Sequence, residues 1–272
     1  MSVVLHLSDP HFGTEQAPVV EALVALTRQQ QPDLVVLSGD VTQRARPAQF
    51  RAAQTFLGRL SSPALVVPGN HDLPLFDLWA RWHHPYARYI AAFGADLEPV
   101  QASPDLLVVC VNTTRAARHK HGEVSASQID RVAHTLAGAS AAQLRVVVVH
   151  QPVAVTRAED VPNLLRGHAA ALQRWSAAGT DLVMGGHIHL PYVTAIAGLE
   201  RPVWAVQAGT AVSSRVRPGV PNSVNLLRWD AASIPACCHI ERWCFCSTAQ
   251  AFVLTEVSDI QPARCGYPVA SR

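Results

Sequence analysis

The sequence predicts an α/β fold, and three observations carry that prediction. Six short, uniformly apolar runs rich in β-branched residues recur over the first 190 residues, each ending abruptly in polar residues. Segments with helical spacing lie between several of them. After about residue 190 helical spacing fades, and strand-like segments alternate with turn residues. Runs of this length that are apolar throughout read as strands buried on both faces, and their alternation with helices predicts βαβ units.

Taken in order, the first strand is read over residues 3–7. A helical connection over 18–30 follows, with Val19, Leu23 and Leu26 on one face and a break at Pro32-Asp33. The second strand is read at 34–37, then a helix over 47–60 opened by Pro47, with Phe50, Phe56, Leu57 and Leu60 as its apolar face. Strands at 64–67, 106–111, 145–149 and 181–184 and helices at 125–137 and 164–177 continue the rhythm. Segments 202–208, 223–229, 237–246 and 251–257 read as a second, mostly antiparallel sheet closing the domain. The expected organisation is one domain over 1–260, with its chemistry in 1–190, the closing sheet in 200–257 and a loose tail over 261–272.

A chain of 272 residues, 49% hydrophobic, suffices for one large domain with a sizeable core. The net charge of +2 and the 15% of charged residues argue against a protein that tracks long nucleic acid, which needs a basic stripe. The most basic stretch, 115–121, reads as a solvated loop. The first residues show no secretory pattern, and no apolar stretch approaches the ~20 residues that span a bilayer. The expected setting is therefore cytoplasmic, away from membranes. Four of the six cysteines cluster at 237, 238, 244 and 246 without a Cys-x-x-Cys knuckle, and all six are read as reduced thiols in buried strands.

Chemistry concentrates where the apolar runs end. The first gives Asp9-Pro10-His11, the second Gly39-Asp40 and the third Gly69-Asn70-His71-Asp72. The 145–149 run gives His150, and the 181–184 run gives Gly185-Gly186-His187-Ile188-His189. Sites in open α/β sheets form beyond the carboxyl ends of the strands. Carboxylate, imidazole and amide donors without thiolate suit Zn, Mn, Fe, Co or Ni. Singly each motif is weak, since Gly-Asp and Gly-Asn are common turn chemistry. Five together, each at a strand end, predict a metal site. Among the remaining histidines, His6, His83, His84, His134 and His239 are given no role.

The ordered set Asp-x-His, Gly-Asp, Gly-Asn-His-Asp, His and Gly-His-x-His resembles the calcineurin-like metallophosphoesterase superfamily over residues 5–189. The resemblance implies a four-layer αββα sandwich with two mixed β-sheets and two divalent or mixed-valence metal ions at the strand ends. By it, one metal takes Asp9, His11 and His189, the other takes Asn70, His150 and His187, and Asp40 bridges them. Asn70 also helps stabilise the reacting phosphate, His71 becomes the acid that protonates the leaving oxygen, and Asp72 orients the His71 ring.

Residues 39–47, followed by Gln49-Phe50, resemble the bacterial cyclic-AMP phosphodiesterase-like branch, as do Gly122-Glu123-Val124 with Gln128 and Asn70-His71-Asp72 followed by Pro74-Leu75. Ala45 stands where that branch usually has glycine. The expected substrate is a small phosphodiester, with a 3′,5′-cyclic nucleotide the first candidate. Phosphomonoesterase or nucleotide pyrophosphatase action comes next, then a nuclease, and a metal-free scaffold last. Arg44, Asn112, His121 and His168 are candidate substrate contacts, with His119 near them. Oligomeric state is open, and the apolar 200–257 region suits either a dimer face or burial within one chain.

Overall fold

The computed structural model describes residues 1–233 and 236–263. Its strands are β1 (Ser2–Leu7), β2 (Leu34–Leu37), β3 (Ala64–Val66), β4 (Val100–Ala102), β5 (Leu106–Cys110), β6 (Leu144–Val148), β7 (Leu182–Gly185), β8 (Tyr192–Ala195), β9 (Trp204–Gln207), β10 (Ser223–Asp230), β11 (Cys237–Cys246) and β12 (Ala251–Ile260). The helices are α1 (Ala17–Gln30), α2 (Pro47–Gly58), α3 (Leu78–His83), α4 (Ala87–Phe93), α5 (Ala126–Ala137) and α6 (His168–Ala177).

Two six-stranded sheets form, ordered β12-β11-β10-β1-β2-β3 and β4-β5-β6-β7-β9-β8. Each is mixed. In the first, β1, β2 and β3 run parallel while β10 meets β1 antiparallel. In the second, β5, β6, β7 and β9 run parallel, with β4 and β8 antiparallel at its edges. The segment read as a separate closing sheet is thus divided between both. β9 joins the second sheet parallel to β7, and only β10–β12 extend antiparallel from the first. Strand character was readable there, but partner choice depends on register across distant segments.

The side-chain period of two explains the layers. In β1 and β2, Val3, Leu5, Leu7, Val35 and Leu37 face α1 and α2, while Val4, Leu34 and Val36 face the other sheet. In β5 and β6, Leu107, Val109 and Val147 face α5 and α6, while Leu106, Val108, Val146 and Val148 face inward. Three apolar layers therefore separate helix, sheet, sheet and helix, the four-layer αββα arrangement. Each fully buried Val or Leu contributes about 1.5–3 kcal/mol, so this double-sided burial is what holds the sheets together. Helix ends follow the local chemistry. Pro18 and Pro47 sit in the first turns of α1 and α2, and Ser125 with Gln128 closes a reciprocal capping box on α5.

Helices α3 and α4 and strands β4 and β8 lie in segments the sequence left unassigned. α3 leaves Leu78, Trp79 and Trp82 exposed, which blurs any one-sided apolar pattern. Cys110 and Cys238 are buried, whereas Cys237, Cys244 and Cys246 are only half-buried; these five are free thiols, and Cys265 lies outside the described residues. The tail expected over 261–272 likewise falls outside them from residue 264 on. Among the described residues no helix is long and apolar enough to cross a membrane.

Candidate metal centre

Parallel β1, β2 and β3 deliver their following loops to one edge, and those loops zip together. The amides of Asp9, His11 and Phe12 donate to the carbonyls of Gly39, Asp40 and Val41 at 3.1, 3.1 and 2.9 Å. Asp9 and Asp40 therefore come side by side. The loops after β6 and β7 meet them from the second sheet, where the Gly186 amide donates to the His150 carbonyl at 2.9 Å and the His187 amide to the Asp9 carboxylate at 2.9 Å.

The backbone is bent hard to make this possible. Asp9, His11, Asp40, His187 and His189 all adopt positive φ, between 43° and 72°. Non-glycine residues held there are uncommon and cluster at functional sites. Glycine is required beside them for a different reason, close approach. A β-carbon on Gly186 would stand 1.7 Å from Ser8 Oγ and 2.5 Å from Asp9 Oδ2.

Two groups of donors result. Asp9 Oδ1 lies 3.6 Å from both His11 Nε2 and His189 Nε2, which are 3.4 Å apart. On the other side His150 Nε2 lies 3.3 Å from both Asn70 Oδ1 and Asp40 Oδ1, and His187 joins Asp40 and His150. The second oxygen of Asp40 points the other way, 3.8 Å from His11 Nε2, so one carboxylate faces both groups.

The residues fit two cations. Donors bonded to one tetrahedral ion at about 2.1 Å stand roughly 3.4 Å apart, and the observed separations match. Asp9 Oδ1 and both ring nitrogens of His187 are buried without a hydrogen-bond partner among the described residues, an arrangement that is costly unless something binds there. Ring orientations are fixed from behind. His150 Nδ1 donates to the Ser38 carbonyl at 2.8 Å, and His189 Nδ1 donates to Thr210 Oγ1, which itself donates to the Arg215 carbonyl. In each case Nε2 is left facing the centre, the usual outer-shell arrangement of a metal-binding histidine.

Electrostatics follow from burial and crowding. Burial drives the pKa of His11 and His187 well below the usual imidazole range. Burial also opposes charge on Asp40, yet His150, His71 and His11 hold its carboxyl well below the ordinary value. For His150, burial is outweighed by Asp40 and the Ser38 carbonyl, which lift its pKa to about 9.

His71 and Asp72 divide their work differently from the sequence expectation. The His71 ring is held by the Gln43 carbonyl, which accepts from Nδ1 at 3.0 Å, and its backbone amide donates to Asp40 Oδ1 at 2.8 Å. The Asp72 carboxylate instead accepts from the amides of Val41, Thr42 and Gly69 and from Thr42 Oγ1. It fastens the loop after β3 to the loop after β2.

Of the candidate substrate contacts, Arg44 stacks 5.4 Å over the Phe76 ring. Asn112 Oδ1 accepts from Thr114, bracing its own turn. His168 begins α6, its Nδ1 on the Leu165 carbonyl at 2.8 Å, and His121 is half-buried next to Lys120. His119 does approach, its ring centroid 6.4 Å from that of His71. His239, given no neighbours from sequence, pairs with Asp259 at 2.6 Å across β11 and β12. Sequence reading missed Arg215, whose guanidinium lies 3.3 Å from His71 Nε2, 3.4 Å from His11 Nδ1 and 3.0 Å from Gln43 Oε1.

With this geometry established, comparison with known proteins decides the family. A calcineurin-like phosphoesterase profile matches residues 2–191. The chain belongs to that family. A glycerophosphodiester phosphodiesterase, GpdQ, of Enterobacter lignolyticus is 36% identical over 83 residues, 26% of this chain and 29% of that protein. A cAMP/cGMP dual specificity phosphodiesterase of Mycobacterium tuberculosis is 26% identical over 204 residues, 69% of this chain and 61% of that one. The aligned segments thus span less than two thirds of either relative. Among solved structures, a dimetal phosphatase from Danio rerio superposes with a TM-score of 0.69 at 13% identity, covering 96% of this chain and 99% of that one. That likeness shows a shared fold over nearly the whole chain. Family and donor clusters together support a metal-dependent phosphoester hydrolase with divalent metals.

Proposed function

We propose that this protein hydrolyses small phosphodiesters at a dinuclear metal centre, with a 3′,5′-cyclic nucleotide as the first candidate substrate. The observation carrying the proposal is Asp40, one oxygen toward His150 and the other toward His11, between two trios of donors. Asp9, His11 and His189 would hold one cation, Asn70, His150 and His187 the other, and Asp40 both. Bound there, two cations supply positive charge for the phosphoryl oxygens and acidify water at neutral pH. Likeness to two named phosphodiesterases supports a diester over a monoester.

The chain's own groups supply the rest. With His71 Nδ1 donating to the Gln43 carbonyl, Nε2, 3.3 Å from the Arg215 guanidinium, is the ring nitrogen left to hand a proton to the departing oxygen. The Asn70 amide, with Oδ1 turned toward His150, leaves its NH₂ to donate to a phosphoryl oxygen. Glycines permit, and Asp72 fastens, the close packing of loops that keeps these groups from drifting. Purified protein supplemented with Mn²⁺ should hydrolyse bis-p-nitrophenyl phosphate. Absence of turnover with each of Mn, Fe, Zn, Co and Ni would overturn the proposal.

A further inference from the structure

Three basic residues line the cavity of about 360 Å³ that opens beside His187 and His189: Lys120, Arg215 and Arg217. They are not equivalent. Arg217 is neutralised, with one nitrogen 2.9 and 3.0 Å from the two Asp160 oxygens and the other on Glu159. Among the described residues no carboxylate pairs with Lys120 or Arg215, and the Arg215 guanidinium meets only imidazoles and the Gln43 amide oxygen. Ammonium and guanidinium groups are hydrogen-bond donors with no acceptor lone pair, so these two side chains suit an anion rather than a metal ion.

Two uncompensated cations beside a centre built for two more are mutually repulsive unless an anion occupies the space between them. Charge counting shows how much anion. Two divalent ions against the carboxylates of Asp9 and Asp40 already leave +2, enough to attract a monoanionic diester. Lys120 and Arg215 raise this to +4, a surplus that a single diester charge leaves largely unmet. They come from different loops, after β5 and after β9, so they approach the cavity independently.

Resting on the phosphodiesterase reading, we infer that Lys120 and Arg215 are specificity residues for a second phosphoryl group on the substrate, distinct from the diester being cleaved. The planar guanidinium fork suits two phosphate oxygens and the ammonium acts as a point charge, a pairing typical of phosphate recognition. The substrate class is a nucleotide-sized diester that also carries a terminal phosphate.

The test uses thymidine 5′-(p-nitrophenyl phosphate) and the same compound bearing a 3′-phosphate. Each is titrated as a competitor of bis-p-nitrophenyl phosphate on the Mn²⁺-loaded full chain, so a compound that is not cleaved still reports its binding. The wild type should bind the bisphosphate about tenfold more tightly, roughly the worth of one charge-assisted contact. Lys120→Gln and Arg215→Gln should each shrink that ratio, and the double variant should bring it near one, with metal content and circular dichroism unchanged. A wild-type ratio near one, or a ratio the double variant leaves intact, overturns the inference. If bis-p-nitrophenyl phosphate is not hydrolysed with any metal, the phosphodiesterase reading fails separately. Calorimetric titration of the two thymidine compounds into the loaded protein then decides the second-phosphate inference by itself.

Discussion

Ala45 has φ 49° and is fully buried, and its amide donates to Thr42 Oγ1 at 3.0 Å. The left-handed conformation costs an L-residue about 1–2 kcal/mol. Glycine would remove that strain but lose a buried methyl worth about 0.8 kcal/mol and gain unfolded-state freedom worth about 0.4–1. These terms nearly cancel. Ala45→Gly should therefore shift thermal stability by less than about 1 kcal/mol in either direction, whereas Ala53→Gly in α2, which also loses a buried methyl, should cost about 1.5 kcal/mol or more. A large loss at position 45 would mean that the methyl, not the backbone angle, governs the site. His71 gives the matching prediction for chemistry. His71→Ala should retain its metals by elemental analysis yet lose about 10²–10⁴ in rate toward poor, alkoxide-like leaving groups. Toward p-nitrophenolate, which departs without a proton, the loss should be much smaller. Loss of metal instead would make His71 a ligand.

At the scale of elements, the loop after β3 is attached to the loop after β2 through His71 and through one buried carboxylate, Asp72. Burial and nearby Asp40 raise the Asp72 pKa to about 6, while hydrogen bonds from Gly69 and Thr42 pull the other way. Asp72→Ala would strand those donors, and urea unfolding should show a loss of about 3 kcal/mol or more. Asp72→Asn keeps one acceptor oxygen, so its loss should be roughly half. Equal stability of Asp72→Ala and wild type would show that the loop holds itself. This scale also shows what the sequence could disclose. Strands such as β2, apolar at every position, announced themselves, and the residue types just beyond the strands marked the candidate metal centre. Arg215 did not, because an arginine in the Ser- and Pro-rich stretch between β9 and β10 has no periodicity or spacing that ties it to His71, 144 residues earlier. Asp72 was read with its sequence neighbour His71, but its hydrogen bonds run to a loop 30 residues away. The partners of β9 and β10 were hidden for the same reason: strand character is local, and register is not.

Across the whole molecule, His6 is fully buried between the two sheets. Its Nε2 lies 2.9 Å from Ser38 Oγ, and its Nδ1 accepts from Asn225 at 3.4 Å. Asn225 in turn donates to the Gln207 carbonyl at 3.2 Å, so one polar chain links both sheets beneath the metal centre. Burial lowers the His6 pKa to about 3. The unfolded chain takes up this proton near pH 6.5 and the folded chain does not, so the stability is complete above 6.5 and declines as pH falls toward 3. Relative to His6→Gln at equal metal loading, wild type should lose up to about 1.4 kcal/mol per pH unit across that window. Parallel stability curves would mean that the folded protein lets the proton in.

The proposed ligands Asp9, His11, Asp40 and Asn70 follow strands of one sheet and His150, His187 and His189 follow strands of the other, so the two parts of the set are synthesised at different times. A ribosome adding about 5–20 residues per second needs roughly ten to forty seconds to travel from Asp9 to His189. Through that interval the nascent chain carries half a ligand set and no completed trio on either side. Assembly of the proposed ligand set is thus tied to completion of β7 and of the histidines that follow it.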